Sequence, residues 1–187
     1  MGSTRLPRKV LMDLGGKPVL KWVFDAAKAA KLVHHVVVAT PDYEIVEFCD
    51  ANEIPWSMGP EDDVLERFII AAEHTRATKI IRLTADCPFL DPEIIDQCIL
   101  LNESAVDEWP DGMDVQVIDP RWLPMGDREH VVPVKNNLPQ LACPVGNMRH
   151  VRVTLDTPED LERCRTMAKF LPKNRPPKWR ETISAHD

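Results

Sequence analysis

The first nine residues, Met1-Gly-Ser-Thr-Arg-Leu-Pro-Arg-Lys9, gather the chemistry of an anion site into one short loop. Gly2 lets backbone pass close to a ligand, Ser3 and Thr4 offer hydroxyls and amides, and Arg5, Arg8 and Lys9 add positive charge. Such a loop suits a polyphosphate. It is neither the Walker pattern, which needs a second glycine directly before Lys-Ser or Lys-Thr, nor the dinucleotide GxGxxG fingerprint. A basic, solvated amino terminus is the other reading of the same residues.

Two aspartates stand just beyond expected strand ends, Asp86 in Thr84-Ala-Asp-Cys-Pro88 and Asp156 in Leu155-Asp-Thr-Pro158. In a parallel sheet both ends face one crevice, so the two carboxylates can converge on one magnesium ion. Each also has a local alternative: Asp86 as a turn residue bonding its own backbone, Asp156 as a neighbour of the Thr157 N-cap. Further acidic candidates are Asp111 and Asp114 in Trp109-Pro-Asp-Gly-Met-Asp-Val115. Pro-Asp-Gly is first a turn signal, which favours a structural Asp111, and Asp114 begins a strand. Arg128, Glu129 and His130 are adjacent, so a helix turns at most two of them toward a site, with a solvated face as the alternative. His34 and His35 read as surface residues.

The elements that must position these groups alternate. Pro18 opens a helix to about Lys31, with apolar residues at Val19, Trp22, Val23, Ala26, Ala27 and Ala30. The β-branched run over residues 35–40 reads as a strand covered on both faces, and Thr40-Pro41-Asp42 starts the next helix. Residues 54–57 and 79–84 are strands, the acidic stretch at 59–63 opens a helix between them, and Asp91-Pro92 caps another through about Leu101. A proline-rich stretch over residues 102–149 includes a strand at 113–118. A strand at 150–155 and a helix from Thr157 to about Phe170 follow. Three strand-loop-helix units in succession predict an α/β fold with an open, mainly parallel sheet and right-handed crossovers. One domain is expected over 1–171, with 102–149 as an excursion and 172–187 as an exposed tail.

Lys plus Arg total 23 against 30 for Asp plus Glu, and a net charge of −7 argues against a nucleic-acid or anionic-membrane surface. An anionic ligand therefore calls for local help from the basic loop and a divalent cation. Five widely spaced cysteines without a CxxC pair suggest reduced, buried thiols. No apolar run reaches the roughly 18 residues of a membrane span and no signal peptide is evident, so a cytoplasmic protein is expected.

Seven strings carry a resemblance: Gly2-Ser-Thr-Arg-Leu-Pro-Arg-Lys9, Val37-Val-Ala-Thr-Pro-Asp42, Glu61-Asp-Asp-Val-Leu-Glu-Arg67, Leu83-Thr-Ala-Asp-Cys-Pro88, Pro110-Asp-Gly-Met-Asp114, Arg128-Glu-His-Val131 and Asp156-Thr-Pro-Glu-Asp-Leu161. In this order they resemble the cytidylyltransferases that activate sugar acids, in particular the spore coat polysaccharide branch related to 3-deoxy-manno-octulosonate cytidylyltransferase. The resemblance implies a Rossmann-like, GT-A-like nucleotide-diphospho-sugar transferase fold and transfer of CMP from CTP to a sugar with release of pyrophosphate. It implies phosphate binding by Gly2, Ser3, Thr4, Arg5 and Lys9, with Arg5, Lys9 and Asp86 catalytic. It further implies magnesium on Asp86 and Asp156, and cytosine near Thr40 and Gly59. Asp111, Asp114, Arg128, Glu129 and His130 fall in the region expected to meet the sugar and a second subunit of a homodimer. The family also has a hydrophobic strand and an Arg before Gly2, so the sheet is expected to lack its first strand. The segments 101–109 and 118–128 are shorter than expected, and position 8 is Arg where the family has Gly. A truncated, non-catalytic homologue that binds a nucleotide or a partner chain is the alternative.

Overall fold

The computed structural model describes residues 6, 8–126, 128, 131 and 139–186. The chain divides into two compact units, one of Met1–Gly2, His35–Ile80 and Val117–Leu138, the other of Ser3–His34, Ile81–Gln116 and Pro139–Asp187. Residues 102–149, expected as one excursion, contribute to both units.

In the first unit, Val38–Thr40 (β1) and Trp56–Met58 (β2) pair in parallel, Val38 against Trp56 and Thr40 against Met58. Tyr43–Ala51 (α2) connects them and buries Ile45, Val46 and Cys49 along one side, the spacing of a single helical face. Val64–Thr75 (α3) begins at Asp63, whose carboxylate accepts from the Glu66 N–H at 2.9 Å. It ends at Arg76 in the left-handed conformation, φ 52°, a common way to close a helix. Leu65 of α3 packs with Ile118, Leu123 and Val131, so part of the proline-rich stretch is core here. Ile80–Arg82 (β3) and Gln116–Ile118 (β4) pair with each other as a second two-stranded sheet.

In the second unit, a 3-10 turn over Lys9–Leu11 leads through Gly15 and Gly16, both at positive φ, into Val19–Ala29 (α1). Pro18 is the residue before the helix rather than its first, with the extended backbone of an N-cap. The buried face holds Val19, Leu20, Trp22, Val23, Phe24, Ala26 and Ala27. Trp22 donates its indole N–H to the Leu14 carbonyl at 2.8 Å and meets Phe89 edge-on at 5.5 Å, a contact worth about 0.5–1.5 kcal/mol beyond its buried area. Pro92–Leu101 (α4) starts as expected at Asp91, which accepts from the Glu93 N–H. The Asp96 carboxylate then accepts from the N–H groups of Lys31 and Leu32, tying the end of α1 to α4. Pro158–Ala168 (α5) opens on a reciprocal capping box between Thr157 and Asp160.

Two expectations fail. Residues 150–155 form no ladder strand, only a bridge between Asp111 and Arg152, because their N–H groups turn to separate partners. Val153 and Thr154 donate to the Asp111 carbonyl and Leu155 donates to the Asp86 carbonyl. Nor is 172–187 an exposed tail: Trp179–His186 (α6) is a helix, with Thr182 buried and Trp179 edge-on to Trp109 at 5.5 Å. The Asp91 carboxylate accepts from the Trp179 N–H at 2.9 Å, which fixes the start of α6 against α4. All five cysteines are free and buried, and among the described residues no helix is long and apolar enough to cross a membrane.

Arg8, where the resemblance implies Gly, has φ 61° and ψ 17°. A side chain in that region costs about 1–2 kcal/mol that Gly does not incur. Arg8→Gly is therefore expected to raise the melting temperature by roughly 2–8 °C in a thermal denaturation series. A fall would show that the Arg8 side chain's own interactions outweigh the backbone strain.

Candidate active site

In the second unit the 3-10 turn after Arg8 is pinned by two hydrogen bonds, Leu11 N–H to the Arg8 carbonyl and Met12 N–H to the Lys9 carbonyl. It aims the Lys9 side chain at both candidate carboxylates. Lys9 Nζ donates to Asp86 Oδ2 at 2.7 Å and to Asp156 Oδ1 at 2.8 Å. Lys9 is 13% exposed, against 27% for Asp86 and 24% for Asp156, so the aspartates are the more solvent-facing members of the cluster. Burial works against the ammonium, but the hydrogen bonds to Asp156 and Asp86 outweigh it, and the Lys9 pKa lies above its ordinary value. Asp156 is the mirror case. Burial pushes its carboxyl up, while Lys9 and Arg152 together hold it below the usual range.

Asp86 sits in a turn closed by the Cys87 N–H on the Thr84 carbonyl, yet its carboxylate faces Lys9. Its own carbonyl accepts from Leu155 N–H at 2.9 Å and Thr154 Oγ1 at 3.3 Å, which stitches the loop after β3 to the segment entering α5. Asp156 is not the cap of α5. Thr157 and Asp160 fill that role, leaving the Asp156 carboxylate to bridge Lys9 and Arg152. Cys87, next to Asp86, is held as a neutral thiol by burial and by the Asp86 charge, so it offers no nucleophile.

Behind this pair lies a charge network that sequence reasoning missed. Arg152 donates to Asp156 Oδ2 at 2.8 Å, to Asp160 at 3.1 and 3.2 Å, and to Asp111 Oδ2. Asp160 also accepts from Arg163 and from the N–H groups of Asp156 and Thr157, both at 3.0 Å. Arg149 donates to Asp114 Oδ1 at 2.6 Å and pairs with Asp111 at 3.3 Å. Burial raises the Asp114 carboxyl, with the Arg149 hydrogen bond only partly opposing it. Gly112, between the two aspartates, has φ 109°, and a Cβ there would stand 2.3 Å from the Thr154 nitrogen. Only glycine lets the 111–114 turn lie this close to the 153–154 backbone. The available signal was the polar alternation at Arg152 and Thr154, with Arg152 four residues before Asp156.

The other sequence candidates distribute as follows. Thr40 and Gly59 meet in the first unit, where the Gly59 N–H donates to the Thr40 carbonyl at 3.3 Å, and Arg67 donates to the nearby carbonyls of Pro60 and Glu61. Arg128 also belongs to the first unit. Its carbonyl accepts from the Leu65 N–H and its exposed guanidinium pairs with Asp63 at 3.4 Å. Gly2, Ser3, Thr4, Arg5, Glu129 and His130 lie outside the described residues.

Among the described residues no group of three or more His, Cys, Asp or Glu is arranged to hold a metal ion. Two carboxylate oxygens that already converge on one cationic atom do fit a magnesium ion, which commonly takes one or two protein carboxylates and draws its other ligands from phosphates and water.

Residues 1–117 match the family model described as cytidylyltransferase. A 3-deoxy-manno-octulosonate cytidylyltransferase of Acidobacterium capsulatum is 37% identical over 94 residues, 49% of this chain and 38% of the relative. The spore coat polysaccharide biosynthesis protein SpsF of Bacillus subtilis is 37% identical over 107 residues, 53% of this chain and 45% of the relative. Each match thus spans less than half of the relative's length. A solved cytidylyltransferase from Leptospira borgpetersenii superposes with a TM-score of 0.87 at 25% identity, covering 98% of this chain and 89% of that one. The family match takes in the Lys9 turn and the Asp86 loop, and the fold match extends over nearly the whole chain: the protein belongs to the cytidylyltransferase family.

Proposed function

We propose that this protein transfers CMP from CTP to a sugar acid or related sugar, releasing pyrophosphate, in the biosynthesis of a cell-surface polysaccharide. The observation that carries the reading is the Lys9 ammonium shared by Asp86 and Asp156 at 2.7 and 2.8 Å, one cationic point between two loops at a basic segment. In this reading a sugar hydroxyl attacks the α-phosphorus. The bond from that phosphorus to the bridging oxygen breaks, pyrophosphate leaves with the electron pair, and the hydroxyl proton is released to solvent or base.

The reaction demands positioning and neutralised charge rather than a covalent enzyme intermediate. Lys9 supplies positive charge to the phosphates, with Ser3, Thr4 and Arg5 as the remaining phosphate-binding group. Asp86 and Asp156 would hold the divalent cation of the reaction, magnesium in this reading. Such an ion would supply charge neutralisation for the phosphates. Arg152 orients Asp156 by occupying its second oxygen. Asp111 and Asp114, fixed by Arg149 and Arg152, belong to the sugar side. The chain acts in the cytoplasm as a homodimer in this reading. The 3-deoxy-manno-octulosonate named for the Acidobacterium relative supports an anionic sugar.

A thermal-shift titration with CTP, UTP, GTP and ATP, each with and without magnesium, tests the proposal. CTP with magnesium at about 100 times its dissociation constant is expected to add about 2.7 kcal/mol, a shift of several degrees, and the other nucleotides much less. Chelating the metal should remove most of the CTP shift. No shift with any nucleotide would overturn the reading in favour of a non-catalytic family member.

A further inference from the structure

Asp86 Oδ2 and Asp156 Oδ1, the oxygens assigned above to a divalent cation, are the two oxygens that Lys9 Nζ occupies at 2.7 and 2.8 Å. An ammonium and a divalent ion cannot share that point, because like charges a few ångströms apart in a partly buried site repel strongly. Asp156 has no spare oxygen to offer instead, since its Oδ2 accepts from Arg152 Nη2 at 2.8 Å. Arg152 in turn is held in place by Asp111 and Asp160.

We propose that Lys9 keeps the cation site closed in the nucleotide-free chain, and that the divalent cation enters together with the triphosphate, whose phosphates draw off the ammonium. The inference rests on the CMP-transfer reading of this site and specifies its order of assembly. One lysine then serves both states. It is counter-ion to the two aspartates before binding and to phosphate afterwards, so no buried charge is left unpaired at either stage. Removing a resident ammonium from two converging carboxylates leaves them unbalanced, and a cation from solution is then the available remedy. Linkage requires the coupling to be mutual: nucleotide raises cation affinity by the factor by which cation raises nucleotide affinity. The arrangement also keeps the free protein from holding a metal without its substrate.

Manganese(II) serves as the probe, followed by electron paramagnetic resonance in the absence of nucleotide. Lys9→Gln is expected to bind manganese at least about 10-fold tighter than the unmodified chain, and the double variant Lys9→Gln/Asp86→Asn to lose that gain. Equal affinity in the unmodified and Lys9→Gln chains overturns the proposal. Should Lys9→Gln fail to fold, the unmodified protein gives a second readout, acetylation of the Lys9 amine by limiting acetic anhydride, measured by mass spectrometry. Labelling is expected to be the same with and without millimolar manganese, because the amine keeps its hold on the two aspartates, and a rise, which would mean that manganese alone displaces the amine, overturns the proposal. Neither readout uses CTP, so the two ideas fail separately. A manganese response without any CTP-dependent thermal shift keeps the closed site and sinks CMP transfer. A CTP shift without the manganese response sinks only the closure by Lys9.

Discussion

Asp86→Asn is expected to lower pyrophosphate release from CTP by about 100-fold or more, with the melting temperature nearly unchanged. The substitution keeps the size and shape of the side chain and removes its charge, so the loss falls on whatever depends on that charge. In the proposed reaction this is the cation that neutralises the phosphates where the bond breaks, and one well-placed electrostatic group of that kind contributes two to three orders of magnitude. The cost to the fold is small by comparison. Asp86 is 27% exposed, Lys9 keeps Asp156 as its partner, and the carbonyl of residue 86 still accepts from Leu155 and Thr154. A partly exposed ion pair contributes on the order of 1 kcal/mol or less. The check is pyrophosphate release across a panel of sugar acids, run beside a melting curve. Near-normal turnover in the Asn variant would remove Asp86 from the reaction. Lost turnover with a collapsed melt would make it a structural residue.

Much of the scaffold was legible because its signals are local. Trp22 and Val23 mark the α1 face, Asp91-Pro92 starts α4 and Thr157 with Asp160 starts α5, each through contacts within a turn or two of chain. Asp86 and Asp156 were legible as loop carboxylates, although the contact that unites them was not. Lys9 reaches them across 77 and 147 residues, a separation that spacing along the sequence cannot convey.

The misreadings share that cause. Residues 150–155 alternate like a strand, but the alternation reflects buried Val151, Val153 and Leu155 on one side and Arg152 in a charge network on the other, with N–H groups bound to Asp111 and Asp86. Prolines at 172, 176 and 177 suggested an unstructured end. Yet Pro177 and Lys178 merely precede α6, where Glu181 accepts from the Lys178 N–H and Trp179 finds Trp109 seventy residues away.

Asp160→Ala is expected to cost about 3–5 kcal/mol of folding stability, the largest structural effect of any single substitution considered. The Asp160 side chain is 5% exposed and accepts from Arg152, from Arg163 and from two backbone N–H groups at the start of α5. Alanine would leave two guanidinium groups facing one another without the anion between them, and would also open the capping box, which alone is worth about 1 kcal/mol. The effect should carry a pH signature. Burial pushes the Asp160 carboxyl up, but Arg152, Arg163 and the two N–H groups more than reverse that and hold it far below the usual range. A depressed folded-state pKa means that the stabilisation is complete above the unfolded value of about 4 and disappears as the pH falls toward the folded one. Asp156, also depressed, acts in the same direction. Denaturant unfolding of the native chain should therefore weaken steadily from about pH 5 downward, and the alanine variant should show a lower midpoint at pH 7 with a shallower acid slope. Asp160→Asn, which keeps an acceptor for the helix start but not the charge, should fall between the two. Equal midpoints for the native and alanine chains at pH 7 would show that Arg152 is held by Asp111 and Asp156 alone, and the support assigned to Asp156 would have to be withdrawn.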